Sequence, residues 1–192
     1  MQEKTTYQAL CEQARGCQLC KNELPSPPNP IFIWPPEPNI ILISQAPGRL
    51  AHQSNIAWND ASGDRLRDWL GIDRATFYDA GSIAVLPMSF CFPGYKNGAD
   101  APPIKICAPT WHPRFLAQAN PVLTIYVGRY AQASYLPQYR KLTDAVADYQ
   151  NLLPNKLALP HPSGRNNRWL SQHAWFKTEL VPLLRLRIND LV

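Results

Sequence analysis

Two short polar loops, Ser44-Gln45-Ala46-Pro47-Gly48-Arg49 and His161-Pro162-Ser163-Gly164-Arg165-Asn166-Asn167, each follow directly on an apolar run, Asn39-Ile40-Ile41-Leu42-Ile43 and Lys156-Leu157-Ala158-Leu159. Apolar runs of this length, bounded by turn residues, read as strands buried on both faces. Such strands belong to parallel sheets, in which ligands bind beyond the carboxyl ends. Both loops start at a carboxyl end, so they face one cleft, and the chemistry is expected there.

Four runs read as parallel strands, at 39–44, 82–86, 122–127 and 156–159, spaced widely enough for helical crossovers. In the first crossover Ser62 serves as N-cap, Asp64 lies in the first turn, and Leu66, Trp69 and Leu70 form one apolar stripe before Gly71 ends the helix. Further helices are expected at 5–15, near 111–118, from Arg129, near 141–151, and from Trp169 to about Ile188, the last kinked or broken at Pro182. Between the first helix and the first strand, Cys17 to Pro38 is a proline-rich arm without a period of its own. The expected fold is therefore α/β, with residues 1–192 as one domain.

The chain has 192 residues and 45% hydrophobic content, enough to fill one core. It has no apolar run of eighteen residues, and its first residues are polar, so neither a membrane span nor a secretory signal is expected and the cytoplasm is the expected compartment. Lys and Arg number 19 against 14 Asp and Glu, a net charge of +5 that favours an anionic partner without identifying it. Without a secretory signal, the five cysteines point to thiol or metal chemistry rather than disulfides.

At the two loops the sequence resembles the uracil-DNA glycosylase superfamily, especially its iron–sulfur branch, whose first motif runs Gly-Glu-Ala-Pro-Gly and whose last begins His-Pro-Ser. It is also similar to an unassigned bacterial branch of that superfamily. The likeness takes in Cys17-x-x-Cys20, the first loop, Asn55 to Gly63, the segment Phe90-Cys91-Phe92-Pro93, Cys107-Ala108-Pro109 and the His161 loop, in the family order. It implies a three-layer α/β/α sandwich around a four-stranded parallel sheet, and a DNA glycosylase that flips a damaged base, uracil or another deaminated base, and cleaves its N-glycosidic bond in base-excision repair.

Cleaving that bond puts positive charge on the sugar and negative charge on the leaving base. The resemblance assigns His161 as the donor to the base oxygen; the alternative is a loop histidine that satisfies local backbone. Where relatives carry a carboxylate to position water, this chain has Gln45 and Ala46. Gln45 can orient a water but cannot take its proton, whereas Asp60 can do so or can instead cap the following helix. Trp58 stands where relatives stack an aromatic on the extruded base, or is a core tryptophan. Relatives that read uracil carry an asparagine where this chain has Pro87; Ser89, Phe90 or a backbone group are the candidate substitutes. Ala46, Pro47 and Gly48 complete the base-binding set.

Arg165 falls where the family inserts an apolar wedge, and can stack and contact phosphate there. Arg49, Ser163, Gly164 and Asn166 join it as DNA-contacting candidates. Cys17, Cys20 and Cys107 match three cluster ligands of the iron–sulfur branch, with Cys91 or His112 to complete zinc or a cluster in altered geometry; the alternative is a metal-free remnant. Catalysis itself needs no cofactor. DNA, single or double stranded, is the expected partner of a monomer that needs no membrane. Two other functions fit the same residues: a non-catalytic nucleic-acid-binding relative, and a nucleoside or nucleotide hydrolase.

Overall fold

In a computed structural model that describes residues 6–79 and 81–192, five consecutive buried residues, Ile40–Ser44, form β1. Buried on both faces, β1 pairs parallel with β2 (Ile83–Pro87) on one side and β5 (Leu123–Val127) on the other, and β5 pairs parallel with β6 (Lys156–Leu159). The sheet order is β2-β1-β5-β6. Ser44 lies in register with Pro87, and Val127 with Leu159, so the carboxyl ends share one edge. The chain leaves β1 toward β2 and returns on the far side to β5, and the crevice at such a reversal is where ligands of open parallel sheets bind.

The proline-rich arm closes the outer edge of β2. Ile33 makes an antiparallel bridge to Val85, and Ile31 donates its amide to the Phe90 carbonyl at 2.7 Å. Ile31, Phe32 and Trp34 are buried in the same core cluster as the sheet. A short antiparallel hairpin, β3 (Tyr95–Lys96) and β4 (Ala99–Asp100), follows β2.

Helices complete the three-layer α/β/α sandwich: α1 (Thr6–Arg15), α2 (Arg49–Ser54), α3 (Ala61–Leu70), α4 (Arg74–Asp79), α5 (Cys107–Leu116), α6 (Arg129–Tyr135), α7 (Leu142–Ala147), α8 (Tyr149–Leu152), α9 (Asn167–Gln172) and α10 (Val181–Asn189). Leu66, Trp69 and Leu70 are buried as their spacing predicts, and Trp69 packs edge-on against Phe176 at 4.8 Å between ring centroids. Among the described residues no helix is long and apolar enough to cross a membrane.

The sheet follows the sequence expectation closely and the helices less so. Thr5, the first residue of the expected helix 5–15, lies outside the described residues. The N-cap of α3 is Asp60, two residues before Ser62, because the Asp60 carboxylate accepts the Gly63 amide at 2.8 Å. Helix α5 starts at Cys107, four residues before the expected 111; Pro109 sits in its first turn, where an amide hydrogen is not needed. The expected helix 141–151 divides into α7 and α8 at Asp148, whose carboxylate accepts from Tyr139 and Asn151. The expected long helix breaks at His173 and turns irregular again just before Pro182. The imidazole Nδ1 of His173 bonds the Trp169 carbonyl at the end of α9, and the helix that resumes passes through a π-helical turn at Phe176–Leu180 directly before Pro182, whose missing amide hydrogen that irregular turn accommodates.

Candidate functional site

A cavity of about 380 Å³ opens at the carboxyl edge of the sheet. Its walls come from the loop after β1, the segment between α2 and α3, the β3–β4 hairpin and the loop after β6. This size is in the range of small-ligand sites.

His161 projects from the end of β6 and is held on both sides. The Ser163 amide donates to its Nδ1 at 3.3 Å, and the Asn166 side-chain amide donates to its carbonyl at 2.7 Å. An Nδ1 that accepts a hydrogen bond carries no proton, so the neutral ring bears its hydrogen on Nε2. Nε2 has no hydrogen-bond partner among the described residues. Burial lowers the His161 pKa below the usual histidine value and outweighs the opposing pull of the Asp60 carboxylate, so the ring is neutral at neutral pH.

Trp58 lies beside His161, with ring centroids 5.5 Å apart and planes tilted by 31°. Its backbone has a left-handed φ of 58°. Buried Arg67 donates to the Trp58 carbonyl at 3.2 Å and pairs with Asp64 at 2.6 Å, while the Tyr78 hydroxyl donates to the Ala57 carbonyl at 2.6 Å. Gly63 lets α3 pass this segment: a Cβ there would stand 1.8 Å from the Trp58 carbonyl oxygen. Only a residue without a side chain permits that approach. Trp58 is thus a half-buried ring on a braced turn, packed against the core on one side and lining the cavity on the other.

Asp60 serves two neighbours. One carboxylate oxygen caps α3, while the other lies 3.7 Å from where a Cβ on Gly48 would stand, so it faces the first loop. Arg65, one turn into α3, donates to the Ser163 carbonyl at 3.3 Å and to the Asn167 side chain at 2.8 Å. The helix that carries Asp60 is thereby tied to the loop that carries His161. Gln45 completes this group: the Ser89 amide bonds its carbonyl at 3.2 Å, and its side chain lines the cavity with no hydrogen-bond partner among the described residues.

Ala46, Pro47 and Gly48 line the cavity beside Gln45, and Ser163, Arg165 and Asn166 line it beside His161. Arg49 and Gly164 are exposed just outside the lining. The Arg165 guanidinium reaches across to the hairpin and donates to the Gly98 carbonyl at 2.6 Å. Ser89 and Phe90 do not reach the cavity, a correction to the sequence expectation. After Pro87 the chain turns inward beneath the arm, so the Ser89 hydroxyl bonds the Cys91 carbonyl at 3.2 Å and Phe90 packs among Phe32, Trp111 and Phe115. Pro87 itself lines the cavity, and the register of the missing asparagine is filled by a side chain that cannot hydrogen-bond. Asp100 and Tyr130 also line it and were not expected. The Asn97-Gly98 pair, a strong hairpin signal, could have placed Asp100 beside the cleft.

The candidates for a fourth metal ligand separate cleanly. His112 is buried and fully engaged, with Nε2 donating to the Pro87 carbonyl at 2.8 Å and Nδ1 accepting from Tyr135 at 2.6 Å, and burial lowers its pKa to about 4. Cys91 instead joins the arm. Its thiol bonds that of Cys20, and burial pushes it up to about 12, with the Cys20 and Cys17 sulfurs adding to the rise. Cys107, also pushed up to about 12 by burial, feels Cys91, Cys20 and Cys17, and its sulfur accepts the Phe90 amide at 3.3 Å. All five cysteines are free. Four thiols are therefore neighbours, yet among the described residues no three His, Cys, Asp or Glu side chains form a group suited to a metal ion. As these side chains stand they make no metal cage, and no step of the chemistry runs through one.

Known proteins resemble this chain both in sequence and in structure. A sequence model of the uracil DNA glycosylase superfamily matches residues 32–185. Among solved structures, a Methanosarcina acetivorans protein provisionally described as a uracil DNA glycosylase and determined by solution NMR is 13% identical, with a TM-score of 0.49 over 81% of this chain and 94% of that one. The family match spans both loops, all four sheet strands and every cavity-lining residue except Ile31, and on it the chain belongs to the uracil DNA glycosylase superfamily.

Proposed function

We propose that this protein is a DNA N-glycosylase that takes one extruded, damaged base into the cavity and hydrolyses its bond to deoxyribose. The observation that carries the reading is the fixed tautomer of His161, a neutral ring whose Nε2–H is left to the cavity while Nδ1 is occupied by the Ser163 amide. As the C1′–N bond breaks, its electron pair moves to the base, and a neutral N–H donor aimed at a base oxygen stabilises that charge. Trp58 offers the stacking face, worth about 1–3 kcal/mol per base.

The electron-poor sugar is met by Asp60 and the first loop. Asp60 bears the negative charge nearest the first loop and, with the free amide of Gln45, orients a water whose oxygen bonds to C1′. The water proton passes to Asp60 or to solvent, and the departed base takes up a proton. Arg165, Ser163 and Asn166 at the mouth, with exposed Gly164 and Arg49 beside them, suit the strand backbone. The reading needs neither a second subunit nor a membrane, and it fits a cytoplasmic protein.

Catalysis by these groups needs no cofactor. A structural zinc or iron–sulfur group, if the protein holds one, belongs with Cys17, Cys20, Cys91 and Cys107. Elemental analysis of the purified protein tests this, and Cys91→Ser should release any metal found.

A non-catalytic nucleic-acid-binding role is favoured by two observations: the first loop has no carboxylate, and Pro87 stands where an amide would read the base. Oligonucleotides carrying uracil, hypoxanthine, xanthine or mismatched bases, in single and double strands, distinguish the two. Alkali-labile abasic sites are expected for at least one of them, and their absence throughout, with DNA still bound, supports the binding role.

A further inference from the structure

Besides Asp60 the cavity holds a second carboxylate, Asp100, carried on β4. The hairpin that presents it is fixed at both ends. Its turn, Asn97-Gly98, has φ of 52° and 69°, the left-handed pair that a two-residue hairpin turn requires. The Ala101 amide closes its base on the Gly94 carbonyl at 2.8 Å, and Arg165 grips its tip through the Gly98 carbonyl at 2.6 Å. Asp100 therefore stands on a held element and lines the same cavity as Trp58, His161 and Pro87.

A base stacked on Trp58 with one side toward His161 still has an edge to be read, and Pro87 offers no hydrogen bond for it. We propose that Asp100 reads that edge and selects bases that present adjacent N–H donors, as guanine-type bases do with N1–H and N2–H₂, over bases that present a carbonyl there. The inference rests on the base-pocket reading above and, among the bases tested there, favours a mismatched guanine over uracil, hypoxanthine and xanthine.

The reason is the inventory of a carboxylate. Ionised, it only accepts, and two parallel N–H donors match its two oxygens with charge-assisted bonds. A carbonyl in the same place would face it lone pair to lone pair. An asparagine offers one donor and one acceptor and so suits the carbonyl-plus-N–H edge that Asp100 does not. Asp100 is exposed at the cavity wall, where burial raises its pKa, the Arg165 guanidinium lowers it and Asp60 raises it. The Arg165 guanidinium beside it favours the ionised form that this reading requires.

Deoxyguanosine and deoxyinosine differ by the N2 amino group alone and make the direct test, with binding followed by ligand-observed NMR at pH 7. The wild-type protein should hold deoxyguanosine about tenfold more tightly or better, and Asp100→Asn should bring the ratio to one or below. Asp100→Ser should lose the preference as well, which guards against a folding defect peculiar to one variant. If both nucleosides bind and the wild type shows no preference, or the variants keep it, the role of Asp100 is overturned while the base pocket stands. If neither nucleoside nor deoxyuridine binds the wild type, the base-pocket reading falls and takes the Asp100 role with it.

Discussion

The backbone amide of Ser163 donates to Nδ1 of His161 across 3.3 Å, two residues along the same loop. That contact fixes the tautomer without a carboxylate partner. Because burial lowers the His161 pKa, and that of His112 to about 4, the unfolded chain binds protons below pH 6.5 that the folded chain refuses. Stability is thus fully present above pH 6.5 and is lost as pH falls through the two folded pKa values, with His112 alone worth about 3 kcal/mol. Nitrogen-15 spectra of the histidine rings should show His161 protonated on Nε2 alone at pH 7. A ring protonated on Nδ1 would remove the donor assigned to the leaving base.

Asp60→Asn separates two roles of one side chain. Asparagine caps a helix as well as aspartate does, so the bond to the Gly63 amide and the melting temperature should survive. The charge toward His161 and the first loop is lost, so cleavage should slow and the His161 pKa should fall further. Asp60→Ala should slow cleavage and also cost about 1 kcal/mol of stability. Unchanged cleavage by Asp60→Asn would leave this residue a cap and nothing more.

Gly63→Ala forces a methyl group into the Trp58 carbonyl. Overpacking of this kind costs about 1–3 kcal/mol, and the relief available is movement of the Trp58 turn itself. Chemical denaturation should register the loss, and base stacking should weaken even in protein that remains folded. A variant as stable as wild type would show that α3 and the Trp58 turn are free to separate.

What could be read from the sequence was local. Ile40 to Ile43 and Leu157 to Leu159 are apolar without interruption, and that alone marks buried strands and puts Gln45 and His161 at one edge. The inward direction of Ser89 and Phe90 is not legible locally because it depends on a distant contact, the Ile31 amide on the Phe90 carbonyl, which draws the chain inward. Asp60 and Ser62 are both good caps, and the choice between them follows from the close approach of Gly63 to Trp58, a tertiary constraint. The neighbourhood of Cys91, Cys20 and Cys17 spans the arm and the end of β2, so no spacing rule within either segment contains it. Asp100 was missed although Asn97-Gly98 announces its hairpin, because nothing local says that the hairpin folds over the cleft.

Arg165→Ala should weaken DNA binding across sequences and reduce the slope of log affinity against log salt by about one. It also frees the hairpin tip at Gly98. Fluorescence anisotropy with a labelled oligonucleotide over a salt series measures the slope. An unaltered slope would confine Arg165 to the hairpin contact.

A donor that meets a departing base is needed for cleavage and not for binding. In single-turnover cleavage of whichever lesion-bearing oligonucleotide the wild type processes, His161→Ala should lower the rate by roughly a hundredfold or more, with DNA affinity and melting temperature near wild type. A His161→Ala protein that cleaves at the wild-type rate would remove His161 from the chemistry.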